Sequence, residues 1–223
     1  MKTTKEIQTT ADGSTTIYLP EIDEHYHSVK GALTESQHIY RDCAFMYNCS
    51  IEFFSPVRVL EIGFGTGLNA VVTAMVTDRI CRAHYFTLEK YPLSCDIISK
   101  LDYDKHVDAK IYHEIHNAEW NRPVAITPYF TIEKINADLL QCKLPNDIDV
   151  VYFDAFAPEK QPEMWSEDVF RRIYDIMRGG GVLTTYCAKG EIRRMLKRIG
   201  FEVERLAGPS GGKREIIRAT KSI

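Results

Sequence analysis

Apolar and polar residues along this chain form short patterns that predict strands and helices in turn. Near the N-terminus, EIQTTADGSTTIYLP (residues 6–20) has a strand-like pattern on each side of Asp12 and Gly13, a dipeptide typical of tight hairpin turns. The stretch ALTESQHIYRDCAFMYN (residues 32–48) then predicts a helix. We expect residues 1–50 to form an N-terminal extension of hairpin and helix, packed on a main domain that spans residues 51–223.

The rest of the chain alternates strand and helix patterns. Strands are predicted for VRVLEIG, AHYFTLEKYP, FTIEKINADLL, IDVVYFDAFAP and GGVLTTYC, and helices for LNAVVTAMV, a stretch from Leu93, Val169 to Met177 and KGEIRRMLKRIG. A long segment around HNAEWNRPVAITPYF (residues 116–130) is assigned neither type. Repeated strand-then-helix units predict an α/β fold with a mostly parallel sheet covered on both faces. The last two strand patterns, FEVERLAG and REIIRAT, have no helix between them and predict an antiparallel hairpin at the sheet edge.

Composition limits the class of protein. The chain has 223 residues, 44% of them hydrophobic, which suits one globular domain with a substantial core. Its six cysteines form no C-x-x-C pairs, and His113 and His116 lack a third ligand in a recognisable spacing, so we expect neither a disulfide framework nor a metal site. The N-terminus lacks an apolar core of signal-peptide length, and no apolar run of about 18 residues occurs. We therefore expect a cytoplasmic protein without a membrane partner.

Charge is unevenly distributed along the chain. The net charge is -3, yet residues 189–223 contain ten Lys or Arg against four Glu. This asymmetry predicts a basic face that could bind a polyanion. The alternative interpretation is a solvated helix with ordinary surface charges.

Acidic residues follow the predicted parallel strands. Glu61, Glu89, Asp138 and Asp154 stand at the ends of four successive strand patterns. Ligands of such sheets bind outside the carboxyl ends of the strands, where a carboxylate after the second strand is well placed to accept both hydroxyls of a ribose. Glu89 occupies that place, and Asp138 would lie near an adenine amino group.

The glycine loop helps to choose between adenosine-containing cofactors. It reads E-x-G-x-G-x-G from Glu61, whereas a dinucleotide fingerprint would require glycine at the position of Leu68. An acidic residue at the strand end would repel a pyrophosphate but could attract the ammonium and the sulfonium of S-adenosylmethionine. The pattern therefore favours a methyl-donor site, although a GxGxG loop alone can also be a simple turn.

Asp154 is the candidate catalytic residue. It ends the apolar strand VVYF and opens DAFAPEKQPEMW, a loop stiffened by two prolines. In methyl transfer from a sulfonium the protein mainly aligns a nucleophile that has a free lone pair. A carboxylate here could hold an amine and accept its proton. The alternative role for Asp154 is to cap the following turn or helix.

Several of these stretches together resemble a known family. GFGTGLN, YFTLEKYPL, DAFAPEKQPEMW, GGVLTTYC and GGKREIIRAT, preceded by DEHYHSVKGALTESQHIY, are similar in this order to the MnmC-type methyltransferase family. The resemblance implies the Rossmann-like class I fold of S-adenosylmethionine-dependent methyltransferases. It also implies N-methylation of the 5-aminomethyl group of wobble uridine in transfer RNA, often 2-thiolated, to the methylaminomethyl form.

The resemblance also implies roles for individual residues. The expected cofactor-binding residues are Glu61, Gly63, Phe64, Gly65, Thr66, Gly67, Asn69, Glu89, Lys90, Asp138 and Asp154. The expected substrate-binding residues are Tyr26, Ser28, Glu35, Phe156, Trp165, Lys160, Arg193, Arg194, Lys213 and Arg214, with Lys197 and Arg198 as further phosphate contacts. For Phe156 and Trp165 a place in the core is an equal alternative. The RNA partner would be the anticodon stem-loop.

The sequence departs from the family in one respect, and three other functions are alternatives. The two-domain family members carry a flavin-dependent oxidoreductase, and this sequence has no second glycine fingerprint, so we expect a free-standing methyltransferase with a separate FAD-dependent oxidoreductase as a candidate partner. An aminopropyltransferase of the spermidine-synthase type and a small-amine N-methyltransferase are alternatives on the same fold. A non-enzymatic scaffold that binds RNA or a protein would be expected to have lost Glu61, Glu89 or Asp154.

Overall fold

A three-stranded antiparallel sheet forms at the N-terminus of the computed structural model, which describes residues 4–51 and 56–223. Its strands are β1 (Glu6–Thr9), β2 (Thr15–Leu19) and β3 (Glu24–His25). The predicted hairpin is confirmed, because β1 pairs with β2 around a turn that contains Asp12 and Gly13. The Asp12 carboxylate accepts hydrogen bonds from the backbone N–H and the hydroxyl of Ser14, which stabilise this turn.

The predicted helix after this sheet is confirmed, but it is not a regular α-helix. It consists of α1 (Ala32–Glu35), a π-helical stretch (Ser36–Met46) and α2 (Tyr47–Ile51). Eleven residues of π-helix are unusual, since most π-helical segments are single turns that occur at functional sites. The buried face of this stretch includes Ile39, Tyr40 and Phe45.

The main sheet has eight strands in the order β10-β11-β9-β8-β4-β5-β7-β6. The strands are β4 (Val57–Ile62), β5 (Ala83–Glu89), β6 (Pro123–Thr127), β7 (Phe130–Asn136), β8 (Ile148–Phe153), β9 (Met177–Thr185), β10 (Phe201–Ala207) and β11 (Glu215–Lys221). The five strands from β9 to β7 in this order are parallel, and β10 and β11 form the predicted antiparallel edge hairpin. The mostly parallel α/β architecture is thus confirmed.

Helices cover both faces of this sheet. They are α3 (Leu68–Ile80), α4 (Cys95–Ile98), α5 (Ala109–Asn117), α6 (Glu167–Ile176) and α7 (Gly190–Ile199). All six residues of β8 are buried, as expected for a parallel strand between two helical layers. No helix in residues 4–51 and 56–223 is long and apolar enough to span a membrane.

Two parts of the region between β5 and β8 differ from the sequence-based expectation. The helix expected from Leu93 is the short α4, and a separate helix, α5, begins later because Asp108 caps it by accepting from the N–H of Ile111. The segment around residues 116–130, for which neither type was predicted, contains the last residues of α5 and then β6. Strand β6 pairs with β7 and forms a second antiparallel edge of the sheet. Pro123 begins β6, a position that an edge strand tolerates.

The N-terminal segment packs directly against the main sheet region. The Tyr103 hydroxyl donates to the carbonyl of Thr15 over 2.6 Å, and the His38 ring lies 2.8 Å from the carbonyl oxygen of Ala207. The expected division between residues 50 and 51 stays a prediction, since it adjoins residues 52–55, which with residues 1–3 are outside the described part of the chain.

Candidate active site

The glycine loop between β4 and α3 is joined to the loop that follows β8. Gly63 has a φ of +93°, and a Cβ atom there would lie 2.7 Å from the carbonyl oxygen of Asp154. The N–H of Asp154 donates to the carbonyl of Ile62 over 3.0 Å, so the two strand ends are fixed side by side. Glycine is therefore needed at position 63 both for its backbone conformation and for this close approach.

This geometry predicts a large stability loss for Gly63→Ala. Left-handed strain costs about 1–2 kcal/mol and displacement of the Asp154 backbone adds a similar amount, so the free energy of unfolding should fall by about 2–4 kcal/mol in urea titrations. Gly211→Ala is the matched control, because Gly211 also has a positive φ, +72°, but nothing lies within 4 Å of its Cβ position. It should cost only about 1 kcal/mol. Equal losses in the two variants would show that the contact with Asp154 is unimportant.

The N-terminal segment holds the glycine loop from the other side. The Nε2 atom of His27 lies 2.6 Å from the Oγ1 atom of Thr66, and both side chains are buried. Burial lowers the pKa of His27 to about 4, so the ring is neutral near pH 7. The N-terminal segment is thus a structural part of the site.

A cavity of about 220 Å³ opens beside the glycine loop. Its walls include Gly63, Phe64, Gly65 and Thr66 of the loop, Glu89 and Lys90 after β5, Asp138, Leu139 and Leu140 after β7, and Asp154, Phe156 and Met164. The Glu89 carboxylate accepts hydrogen bonds from the N–H groups of Gly65 and Tyr91, and Lys90 lies 2.9 Å from Asp138. The glycine loop and the three carboxylates expected at strand ends, Glu89, Asp138 and Asp154, therefore line one cavity. We call it the cofactor cavity.

Asp154 is held by two donors at the inner end of this cavity. The Tyr40 hydroxyl donates to its Oδ1 atom over 2.6 Å, and the Nδ2 group of Asn69 donates to its Oδ2 atom over 2.8 Å. Burial raises the pKa of Asp154 from 3.8 to about 7, although both hydrogen bonds favour the charged form. This carboxyl group can therefore exchange a proton near neutral pH, as a general base must.

A second cavity, of about 310 Å³, is also lined by Asp154 and is called the acceptor cavity below. It shares Tyr26, His27, Asp154, Ala155 and Phe156 with the cofactor cavity and is otherwise lined by Glu24, His25, Ser28, Val29, Glu35, Ala157, Tyr186 and Lys213. Five of the expected substrate residues lie here, namely Tyr26, Ser28, Glu35, Phe156 and Lys213. A carboxylate between two adjoining cavities suits a reaction between two ligands.

Comparison with known proteins shows a family resemblance over the C-terminal part of the chain. Residues 122–222 match a family described as S-adenosyl-L-methionine-dependent methyltransferase, and this region includes β8, Asp154 and the acceptor-cavity residues Tyr186 and Lys213. Residues 122–222 of the chain are thus similar to this methyltransferase family.

A relative and two solved structures add detail. The tRNA 5-methylaminomethyl-2-thiouridine biosynthesis bifunctional protein MnmC of Marinomonas sp. (strain MWYL1) is 29% identical over 223 residues, covering 88% of this chain. The methyltransferase spans only 31% of the length of that relative. MNMC2 from Aquifex aeolicus has a TM-score of 0.77 and 24% identity, covering 100% of this chain and 72% of its own. Spermidine synthase from Thermotoga maritima has a TM-score of 0.59 and 14% identity, covering 100% and 81%. The fold is the class I methyltransferase fold.

The cofactor of this methyltransferase is S-adenosyl-L-methionine, and the cofactor cavity fits it. Lys90 is the single Lys or Arg among the described residues of the cavity wall, and it is paired with Asp138, so no free cation is offered to a phosphate. Glu89 provides a carboxylate for hydroxyl groups, and Gly63 and Gly65 line the cavity without side chains. Gly63, Gly65, Thr66 and Glu89 would hold the cofactor, with Asp138 at the adenosine end.

Besides the expected phosphate contacts Lys160, Arg193, Arg194 and Arg214, the structure places four expected site residues outside both cavities. Glu61 is fully buried and accepts from the Thr87 hydroxyl over 2.6 Å, and Gly67 is the N-cap residue that precedes α3. Asn69 contacts Asp154 and so orients this carboxylate. Trp165 is 5% exposed and packs on Phe153 while donating to the carbonyl of Phe156, so it supports the cavity wall from the core.

The expected phosphate contacts are spread over a wider surface. Lys160 is exposed in a turn that starts at Ala157 of the acceptor cavity, and Arg214 is exposed beside Lys213. Arg193 and Arg194 lie in the first half of α7, shortly after Tyr186. Lys197 and Arg198 lie in its last turn, and Arg198 is paired with Glu167 at 3.1 Å.

Burial of Glu61 predicts a pH-dependent stability change in this methyltransferase. Burial raises the pKa of Glu61 from 4.5 to about 8. The unfolded chain ionises at lower pH than the folded one, so the wild type loses stability between about pH 4.5 and 8, whereas Glu61→Gln does not. The free energy of unfolding of the variant relative to wild type should increase by about 4 kcal/mol between pH 4.5 and 8.5 in urea titrations. The same difference at both pH values would contradict a protonated Glu61.

Sequence reasoning missed several contributors to the site. Tyr40 and Tyr186 lie within stretches that carried the resemblance, QHIY and TTYC, but no spacing relates them to Asp154. Gln161 accepts from the N–H of Phe156 over 3.1 Å and so fixes the DAFAP loop. Within residues 4–51 and 56–223, no group of three or more His, Cys, Asp or Glu side chains could hold a metal ion.

Proposed function

We propose that this methyltransferase N-methylates the 5-aminomethyl group of wobble uridine, with or without 2-thiolation, in transfer RNA. The observation that carries the proposal is the position of Asp154, which lines the cofactor cavity and the acceptor cavity at once. Its relative from Marinomonas, by its name, acts in 5-methylaminomethyl-2-thiouridine biosynthesis on tRNA, which supports this choice of acceptor.

Asp154 has the proton-transfer role in this reaction. A primary amine is mostly protonated in water near neutral pH and has no free lone pair in that form. In the acceptor cavity Asp154 accepts this proton, while Tyr40 and Asn69 hold its two oxygens in place. When bound, S-adenosylmethionine would supply a methyl group on a sulfonium, and attack by the nitrogen lone pair would form the N–C bond while the electron pair of the broken C–S bond stays on sulfur.

Aromatic side chains would hold the wobble base. The rings of Tyr26 and Phe156 meet edge to face at 5.2 Å between centroids, and Tyr186 forms another part of the wall. Stacking on such rings contributes about 1–3 kcal/mol per base. The exposed Lys160, Arg194 and Arg214 and the partly buried Arg193 would contact phosphates of the anticodon stem-loop. The reaction would take place in the cytoplasm, where a separate FAD-dependent oxidoreductase is the proposed source of the amine.

The test is methyl transfer from labelled S-adenosylmethionine to bulk transfer RNA from cells that accumulate 5-aminomethyluridine. The expected result is label in 5-methylaminomethyluridine after nucleoside digestion. A parallel reaction contains putrescine and decarboxylated S-adenosylmethionine, and aminopropyl transfer there would replace the proposal with a polyamine reaction. Cofactor binding with neither product would favour a non-enzymatic role or another amine.

A further inference from the structure

The acceptor cavity contains an ion pair that the proposed reaction does not use. Lys213, on the loop between β10 and β11, places its Nζ atom 2.9 Å from Oε1 of Glu35 on α1. The other carboxylate oxygen of Glu35 accepts from the N–H of Ser28 over 2.8 Å. The Glu35 side chain is 8% exposed and the Lys213 side chain 39%. A buried carboxylate with both oxygens bonded has a fixed position.

Lys213 is fixed on its other side as well. Its Nζ atom lies 4.1 Å from the centroid of the Tyr186 ring, and the Tyr186 hydroxyl donates to the carbonyl of Ala155, the residue after Asp154. The ion pair and Asp154 are therefore parts of one cavity wall, and a group bound to the acceptor nitrogen would lie beside them.

The charges of this wall are predominantly negative. Glu24, Glu35 and Asp154 contribute three carboxyl groups, and Lys213 is the single Lys or Arg among the described lining residues. Because Glu35 neutralises Lys213, no positive charge of the wall is left to pair with an anion. An added carboxylate in this partly water-excluded space would be repelled by the acids around it.

We propose that the Glu35–Lys213 pair determines acceptor specificity by charge, admitting a primary amine and excluding an amine whose nitrogen also carries a carboxymethyl group. This inference rests on the proposed function. Glu35 is the discriminating residue, because its carboxylate repels the acceptor's carboxylate and also occupies the ammonium that could otherwise bind it. Specificity of this kind comes from what the site rejects as well as from what it binds.

The test compares two anticodon stem-loop RNAs, one with 5-aminomethyluridine and one with its N-carboxymethyl derivative. Methylation of the second would convert a secondary amine into a tertiary amine, with one proton released. The kcat/KM ratio of the two RNAs is measured for wild type and Glu35→Gln. The glutamine oxygen can still accept from Ser28, but its amide group cannot pair with the Lys213 ammonium. The wild type should prefer the primary amine at least 100-fold, and Glu35→Gln should reduce this preference at least tenfold.

Three further variants separate specificity from structure. Adding Lys213→Met to Glu35→Gln should restore most of the preference, because the released ammonium is then gone. Glu24→Gln, on the partly exposed strand β3, should reduce the preference in the same direction but less, and it serves where Glu35→Gln does not fold. Glu202→Gln, an exposed acid on β10, is the matched control and should leave the ratio unchanged.

The outcomes distinguish the inference from the proposed function. If the wild type methylates neither RNA, both are wrong. If it methylates the primary amine but Glu35→Gln and Glu24→Gln change the ratio less than twofold, the charge mechanism is overturned while the function stands. If Glu35→Gln loses the preference and the added Lys213→Met substitution does not restore it, the role of the pair is also overturned.

Discussion

Asp154→Asn is expected to lower kcat for methyl transfer at least 100-fold while changing the Kd for S-adenosylmethionine less than threefold. Asparagine keeps the shape of the side chain; its oxygen can still accept from Asn69 and its NH2 group can donate to the Tyr40 hydroxyl, but it cannot accept the proton of the acceptor amine. General-base catalysis contributes about 10²–10⁴ in rate. In the wild type, kcat/KM should also rise with pH around pH 7, because Asp154 with its raised pKa loses its proton there. The variant should lack this rise.

Asp149→Asn is the matched control for this variant. Asp149 lies on the same strand, β8, but near its opposite end, where it accepts from the N–H of Arg58 over 2.7 Å and pairs with Arg178. Its loss should lower the melting temperature and leave kcat within about threefold. Full turnover by Asp154→Asn, measured alongside this control, would remove Asp154 from the mechanism.

Glu89→Ala is expected to raise the Kd for S-adenosylmethionine about 30- to 100-fold, measured by titration calorimetry. A hydrogen bond from a hydroxyl to a charged group contributes about 1.5–3 kcal/mol, and Glu89 is the carboxylate available to the ribose. The variant also leaves the N–H groups of Gly65 and Tyr91 without their acceptor, which loosens the glycine loop.

Glu133→Ala provides the comparison for Glu89→Ala. Glu133 lies on β7, next to β5 in the sheet, and its contact is with His84, away from both cavities. Its replacement should leave the Kd within twofold. Unchanged affinity in Glu89→Ala would mean that the ribose is held elsewhere and that the assignment from the strand order is wrong.

Sequence patterns predicted the parts of the site that depend on strand ends. Gly63, Glu89, Asp138 and Asp154 each lie at or just after the end of a predicted strand, and parallel strands bring their carboxyl ends to one edge. Position at a strand end did not distinguish residues that line a cavity from residues that are buried in the core next to it. Glu61 ends its strand pattern in the same way, yet its side chain lies in the core beside Thr87.

Contacts between distant segments were beyond sequence reasoning. Tyr40 reaches Asp154 from a π-helical stretch, a helix type with no recognised sequence pattern here, across 114 positions of the chain. The Glu35–Lys213 pair spans 178 positions. Neither juxtaposition follows from local propensity or spacing, since each depends on how the N-terminal segment packs on the sheet.

The most direct test of a methyl transfer centred on Asp154 uses a synthetic anticodon stem-loop with a single 5-aminomethyluridine at the wobble position. Wild-type protein and S-adenosylmethionine should add one methyl group, located by mass spectrometry on the aminomethyl nitrogen, and Asp154→Asn should add none in the same time. A methyl group on another atom of the RNA, or equal product from the two proteins, would contradict the assignment.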